Sequence, residues 1–104
     1  MKFVAEKLDL TLELTTLDGE EITLDPVEII NGTKANEIMQ HWIALEERQK
    51  NESMNIVSTM AEELAFVYPK SAEWFMENLD SSTLVDITKY VAQTAGGLKK
   101  SSEN

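Results

Sequence analysis

The sequence predicts an α+β fold in which an N-terminal antiparallel β-hairpin precedes a bundle of three to four α-helices. Two patterns support this prediction. Up to Leu24, apolar and polar residues alternate with the period of a half-buried strand, whereas from Thr33 onward apolar residues recur at helical spacing. Because the strands precede the helices as a block, these patterns favour an α+β layer over alternating parallel units.

The predicted hairpin joins a strand over 8–14 to a shorter strand over 21–24. A two-residue loop at Asp18-Gly19 would place the apolar rows of the two strands on opposite faces. A three-residue loop from Leu17 to Gly19, with Gly19 left-handed in a bulge, puts both rows on one face. We therefore predict the second register. It pairs Leu14 with Ile22 and Leu12 with Leu24.

Four helical segments are expected after the Asn31-Gly32 turn. The first runs from a Thr33 N-cap to about Lys50, the second from a Ser53 cap to Tyr68-Pro69, the third from Lys70 to Leu79, and the fourth from Asp80-Ser81-Ser82 to Gly96-Gly97. The apolar stripe of the second helix predicts that Glu62 and Glu63 lie on its outer, solvated side.

These elements are expected to form a single globular domain. The domain covers 1–97, with a hairpin region at 3–25 and a helical region at 33–96, and 98–104 forms a flexible C-terminal tail. The tail is predicted to be flexible because it carries too little apolar surface to remain ordered. A domain of this size buries a limited share of its surface, so self-association is also expected.

Composition and charge narrow the possible function classes. The formal net charge is −10 at pH 7, which argues against nucleic-acid binding, because such binding depends on Lys and Arg that neutralise phosphates. The chain has no cysteine, which excludes disulfides and thiolate sites and makes the cytoplasm the default expectation. The charged residues within 1–14 argue against a signal peptide or a membrane span there.

No combination of residues predicts an enzyme or a cofactor site. His41 is the only histidine, which leaves too few partners for a catalytic triad or a metal centre. The turn at Asn31-Gly32-Thr33 lacks the glycine-rich span and the Lys of a phosphate loop. The adjacent carboxylates Glu20-Glu21, Glu46-Glu47 and Glu62-Glu63 are interpreted as solvated charges. We therefore expect no catalysis, no metal and no cofactor.

The methionines and aromatic residues suggest an adaptable surface for an apolar partner. Methionine repacks readily and aromatic side chains dominate binding hot spots, although most of these residues are expected to build the core. Phe66 and Met76 fall off the main apolar stripes, and with Trp42 and Tyr68 they are predicted to be exposed. The candidate partner-binding residues are Trp42, Phe66, Tyr68, Trp74 and Met76.

Three segments resemble tail assembly chaperones of long-tailed phages of Gram-positive hosts. They are Met60-Ala61-Glu62-Glu63-Leu64-Ala65-Phe66-Val67-Tyr68-Pro69, Trp74-Phe75-Met76-Glu77-Asn78-Leu79 and Leu84-Val85-Asp86-Ile87. The resemblance covers most of the chain as an architecture of strands followed by helices. It implies that the protein binds the tape measure protein, a long apolar helical chain, and keeps it soluble during tail assembly. It supplies no catalytic residues.

The resemblance also implies a longer form made by a −1 ribosomal frameshift, which recruits the tail tube protein. Leu98-Lys99-Lys100 can be encoded by a string that contains a slippery heptamer. A lysine pair after a terminal helix can instead simply offset the helix dipole. Such a chaperone would act in the cytoplasm of the infected host cell and be absent from the mature virion.

An acidic inhibitor that mimics DNA and blocks a basic site on a host protein is the alternative function. A mimic should present its carboxylates in rows at phosphate-like spacing on one face. In this sequence, the acidic residues are scattered over the predicted hairpin and helices alike. This distribution favours the chaperone.

Overall fold

The computed structural model describes residues 1–5, 8–53 and 55–96, and it confirms the predicted α+β fold. Two strands are followed by four helices. They are β1 (Leu12–Thr15), β2 (Glu21–Leu24), α1 (Gly32–Glu52), α2 (Ile56–Val67), α3 (Ala72–Asn78) and α4 (Ser81–Gly96). The tail predicted at 98–104, with its Leu98-Lys99-Lys100 string, lies outside the described residues.

The hairpin register is confirmed. Leu14 lies opposite Ile22 and Leu12 opposite Leu24, and Gly19 is left-handed with a φ of 86°. The Thr16 N–H donates to the Glu20 carbonyl at 2.8 Å, which closes the three-residue loop. The first strand is shorter than predicted, because its ladder begins only at Leu12.

Two predicted helix caps are wrong. Asn31, not Thr33, caps α1, since its side-chain oxygen accepts the Lys34 N–H at 2.8 Å. Ser53 does not begin the second helix; it is left-handed, with a φ of 53°, and ends α1. Asn55 caps α2 instead. In both cases an asparagine side chain reaches the orphan N–H groups of the first turn.

The helices enclose one core with the leucine face of the hairpin. α2 packs against α1, α3 and α4, and α1 also packs against α4. The hairpin loop is joined to α3 by the Leu17 N–H, which donates to the Asn78 carbonyl at 2.9 Å. The fully buried side chains of the core include Leu10, Ile38, Ala61, Leu64, Phe75, Leu84 and Val91. Among the described helices, none has the length and apolar character needed to cross a bilayer.

Candidate docking surface

Two of the five predicted partner-binding residues lie in the core, so the expectation that they are exposed is wrong. Trp42 is 2% exposed and Tyr68 is 1% exposed. The indole Nε1 of Trp42 donates to the Glu63 carbonyl at 3.1 Å, and the Tyr68 hydroxyl donates to the Leu10 carbonyl at 2.6 Å. An aromatic ring whose polar atom finds an internal partner can be buried without an unpaired donor.

Phe66 is half-buried, not exposed as predicted. Its ring stacks on His41 with centroids 4.0 Å apart, and the Lys34 Nζ lies 4.7 Å from its centroid. The lone histidine therefore packs against an aromatic ring. Among the described residues, no three His, Asp or Glu side chains are grouped as a metal ion would require.

The remaining two predicted residues lie on α3. Met76 is 43% exposed, which confirms its predicted exposure. Trp74 is half-buried, and its ring lies 5.0 Å from the Lys70 Nζ and 5.3 Å from the Phe75 ring. Trp74 and Met76 are two positions apart on a helix and so point to different sides. The described contacts do not bring the five predicted residues together on one surface.

Glu63 was expected on the solvated side of α2 and is instead 1% exposed. Burial, a hydrogen bond with the Glu46 carboxyl and the charge of Glu46 raise the pKa of Glu63 to about 8. The carboxyl is therefore mostly protonated at neutral pH. Its Oε2 has no hydrogen-bond partner among the described residues. A carboxyl enclosed between α1 and α2 has no access to a substrate, so we assign it a structural role.

A cleft lies at the open end of the hairpin, where the segment before β1 and the segment after β2 separate. The ladder ends at the Leu12–Leu24 pair, and Pro26 lacks the N–H group that further pairing would require. Segments 8–11 and 25–30 then line a cleft of about 500 Å³, which we call the hairpin cleft. Within the part of the chain that the structure describes, we take this cleft as the candidate docking site.

The lining of the hairpin cleft combines exposed apolar side chains with carboxylates. Leu8, Val27 and Ile29 are exposed to 37%, 50% and 70% of their surface. The carboxylates come from Asp9, Asp25 and Glu28. These residues were missed in the sequence, although apolar residues that continue past a strand-ending proline were a usable signal. Such a lining suits an apolar segment that also carries positive charge.

The first wall of the cleft, 8–11, is held by two tyrosines. The Tyr68 hydroxyl donates to the Leu10 carbonyl at 2.6 Å, and the Tyr90 hydroxyl of α4 donates to the Asp9 carbonyl at 2.7 Å. Burial is the main cause that holds the pKa of Tyr68 above its usual range, so its hydroxyl remains a donor. This wall is therefore fixed to the helical layer.

The second wall, 25–30, is held by α1 and α2. The Val27 N–H donates to the Val67 carbonyl at 2.9 Å. The Lys34 Nζ lies 3.4 Å from a carboxylate oxygen of Glu28, and this lysine side chain is only 10% exposed. Because both walls are bonded to helices, the cleft is preformed and a ligand would not need to order it.

The residues before the cleft form an exposed N-terminal arm, Met1–Ala5. Phe3 and Val4 are 86% and 72% exposed. The arm and the cleft together hold six of the eleven large hydrophobic side chains that are exposed among the described residues. The six are Met1, Phe3, Val4, Leu8, Val27 and Ile29. The arm and the cleft thus carry just over half of the large apolar side chains that are exposed among the described residues.

Comparisons of the chain with models of protein families, with curated protein sequences and with solved structures gave no match.

Proposed function

We propose that this protein is a tail assembly chaperone that binds the tape measure protein of a long-tailed phage and keeps it soluble while the tail assembles. The observation that supports this proposal is the preformed hairpin cleft, which exposes Leu8, Val27 and Ile29 beside carboxylates. An apolar helical chain is a suitable ligand for such a surface, because its side chains can leave water by entering the cleft. The resemblance described above supplies the identity of the client.

Net charge gives this binding a solubilising effect. Each bound copy adds a formal charge of −10 at pH 7, and like charges on neighbouring copies oppose aggregation of the complex. Many copies along one long client would mask its apolar surface without any chemical step. The protein acts in this proposal by binding and not by catalysis.

The proposal includes a longer, frameshifted form that recruits the tail tube protein. Both forms would act in the cytoplasm of the infected host cell and would be left out of the mature virion. The nucleotide sequence that encodes Leu98-Lys99-Lys100 tests the frameshift directly, since codons without a slippery heptamer would remove it.

Co-expression with the tape measure protein tests the main proposal. The wild-type chain should keep the client in the soluble fraction and co-purify with it. The cleft variant Val27→Ser/Ile29→Ser should lose most of this effect, because it removes two exposed apolar contacts. Ile43→Ser is the matched control, since Ile43 is 49% exposed but lies on α1, outside the cleft.

Three results would contradict the proposal in different ways. A client that stays insoluble with wild-type protein would reject the chaperone function. A client that the cleft variant rescues as well as wild type would place binding on another surface. Binding to a basic DNA-binding host protein, with no effect on the client, would favour the inhibitor instead.

A further inference from the structure

The N-terminal arm and the hairpin cleft are complementary in chemistry. The arm carries one cationic side chain, Lys2, beside the apolar Phe3 and Val4. The cleft carries apolar side chains beside the carboxylates of Asp9 and Asp25. Within the residues that the structure describes, neither Lys2 nor these two aspartates form an ion pair. The two surfaces therefore share an apolar character and carry opposite charge.

The arm does not occupy the cleft of its own chain. Every residue of Met1–Ala5 is exposed, and Phe3 retains 86% of its accessible surface. Two adjacent large apolar side chains are rarely left this open on a soluble monomer unless something covers them. A partner that buries them would remove this apolar surface from water, and Val27 and Ile29 present a second exposed apolar surface.

We propose that a second copy of this chain covers both surfaces, with the arm of each copy docked in the hairpin cleft of the other. Arm and cleft are close in sequence, because the arm ends at Ala5 and the first wall of the cleft begins at Leu8. A two-fold axis beside this region therefore makes both arm-to-cleft contacts in a single interface. An extended five-residue arm reaches roughly 16 to 18 Å, enough to run beside segment 25–30.

Charge determines which side chains of the arm and the cleft meet. Lys34 lies 3.4 Å from Glu28 and compensates the charge of that carboxylate, so the acidic character that faces the arm comes from Asp9 and Asp25. Lys2 of the arriving arm meets these carboxylates as Phe3 and Val4 meet the exposed apolar lining. The dimer does not depend on the proposed chaperone function, and it can exist with no client present.

Sedimentation velocity on the full chain, from micromolar to several hundred micromolar, tests the dimer. Wild type should pass from monomer to dimer over this range. The arm variant Phe3→Ser/Val4→Ser and the cleft variant Val27→Ser/Ile29→Ser should each weaken dimerisation by roughly 10-fold or more. Ile43→Ser and Ile56→Ser are matched controls, exposed to 49% and 61% outside the arm and cleft, and should dimerise as wild type does.

Mixing the two variants separates the proposed contact from any other dimer. The arm variant keeps an intact cleft, and the cleft variant keeps an intact arm. Unlabelled cleft variant should therefore shift the NMR amide signals of residues 27–30 in labelled arm variant. In a separate sample, unlabelled arm variant added to labelled arm variant should leave these signals unchanged. This readout also detects weak binding, so it remains informative if one contact is too weak for sedimentation.

Three outcomes would overturn the inference. They are a wild-type chain that stays monomeric throughout the concentration range, a dimer that neither variant weakens, and a mixed sample in which the signals of residues 27–30 do not move. Circular dichroism should show that both variants retain the helical fold, because all four altered side chains are exposed. A wild-type chain that dimerises but does not bind the tape measure protein would reject the chaperone function and leave this inference standing.

Discussion

The Tyr68 hydroxyl, at the end of α2, donates a hydrogen bond to the carbonyl of Leu10 across 58 positions of sequence. Both residues are 1% exposed. The bond ties the first wall of the hairpin cleft to the helical layer, and it satisfies a carbonyl that water cannot reach. The stability of the core and the shape of the docking surface therefore depend on the same contact.

Replacing Tyr68 with Phe should destabilise the protein by about 1 to 3 kcal/mol, because it leaves the buried Leu10 carbonyl without its donor. Urea unfolding followed by circular dichroism measures the change. Tyr90→Phe is the matched control, since Tyr90 is 43% exposed and water can replace its bond to Asp9, so about 0.5 kcal/mol or less is expected. Equal losses in the free energy of unfolding at both positions would show that burial does not determine the size of the loss.

Stability should fall as pH rises from about 5 to 8, because the Glu63 carboxyl ionises in the unfolded chain over this range while the buried carboxyl keeps its proton. A carboxyl whose pKa rises from 4.5 to about 8 on folding binds its proton more tightly in the folded state. This tighter proton binding contributes fully to the free energy of unfolding below the unfolded pKa of 4.5. The contribution is lost as pH rises through about 8. Urea unfolding between pH 5.5 and 8.5 should reveal a decline on the order of a few kcal/mol.

The variant Glu63→Gln isolates this effect, since glutamine has nearly the same shape and does not titrate. We expect it to be more stable than wild type at pH 8.5 and to show a much flatter pH profile. Glu62→Gln, on the neighbouring and partly exposed position, should keep the wild-type profile. A wild-type profile in Glu63→Gln would assign the pH dependence to another group.

Two glycines, one in the hairpin loop and one at the start of α1, should respond differently to replacement by alanine. Gly19 has a φ of 86°, Gly32 begins α1, and a Cβ added at either position meets no atom within 4 Å. Gly19→Ala should cost roughly 1 kcal/mol, because an L side chain strains a left-handed residue. Gly32→Ala should be neutral or stabilising by up to about 1 kcal/mol. Thermal unfolding of both variants checks the opposite signs.

The N-cap of α1 gives a second paired test. Asn31→Ala should destabilise the protein by about 1 kcal/mol, because the Lys34 N–H then loses its acceptor. Thr33→Ala should change stability by no more than roughly 0.5 kcal/mol, since Thr33 is exposed and lies inside the helix. A larger loss at Thr33 than at Asn31 would restore the cap that the sequence predicted.

If both proposals hold, the arm and the client compete for the hairpin cleft. The arm variant Phe3→Ser/Val4→Ser should then bind the tape measure protein more tightly than wild type at high protein concentration, because fewer clefts are occupied. The gain should disappear at dilutions where wild type is already monomeric. Calorimetric titration at two protein concentrations measures it. Weaker client binding by the arm variant would mean that the arm contacts the client itself.

The hairpin and the order of elements follow from sequence alone. Only one register gives the alternating leucines of both strands a common apolar face, and its loop needs one glycine that can adopt a positive φ. Each of these constraints is local. The positions of the helices are likewise local, since periodicity and stop signals lie within each segment. The caps are less certain from sequence because several neighbouring Asn, Ser and Thr side chains can serve.

Tertiary structure alone decided which residues are accessible. Trp42 and Tyr68 are buried because their polar atoms find carbonyl partners from distant segments, and Glu63 is buried because α1 supplies the carboxyl of Glu46. The cleft arises where Pro26 ends the pairing and the helices hold two separated walls. No periodicity within one segment reports what a different segment will place against it, so burial and concavity had to come from packing.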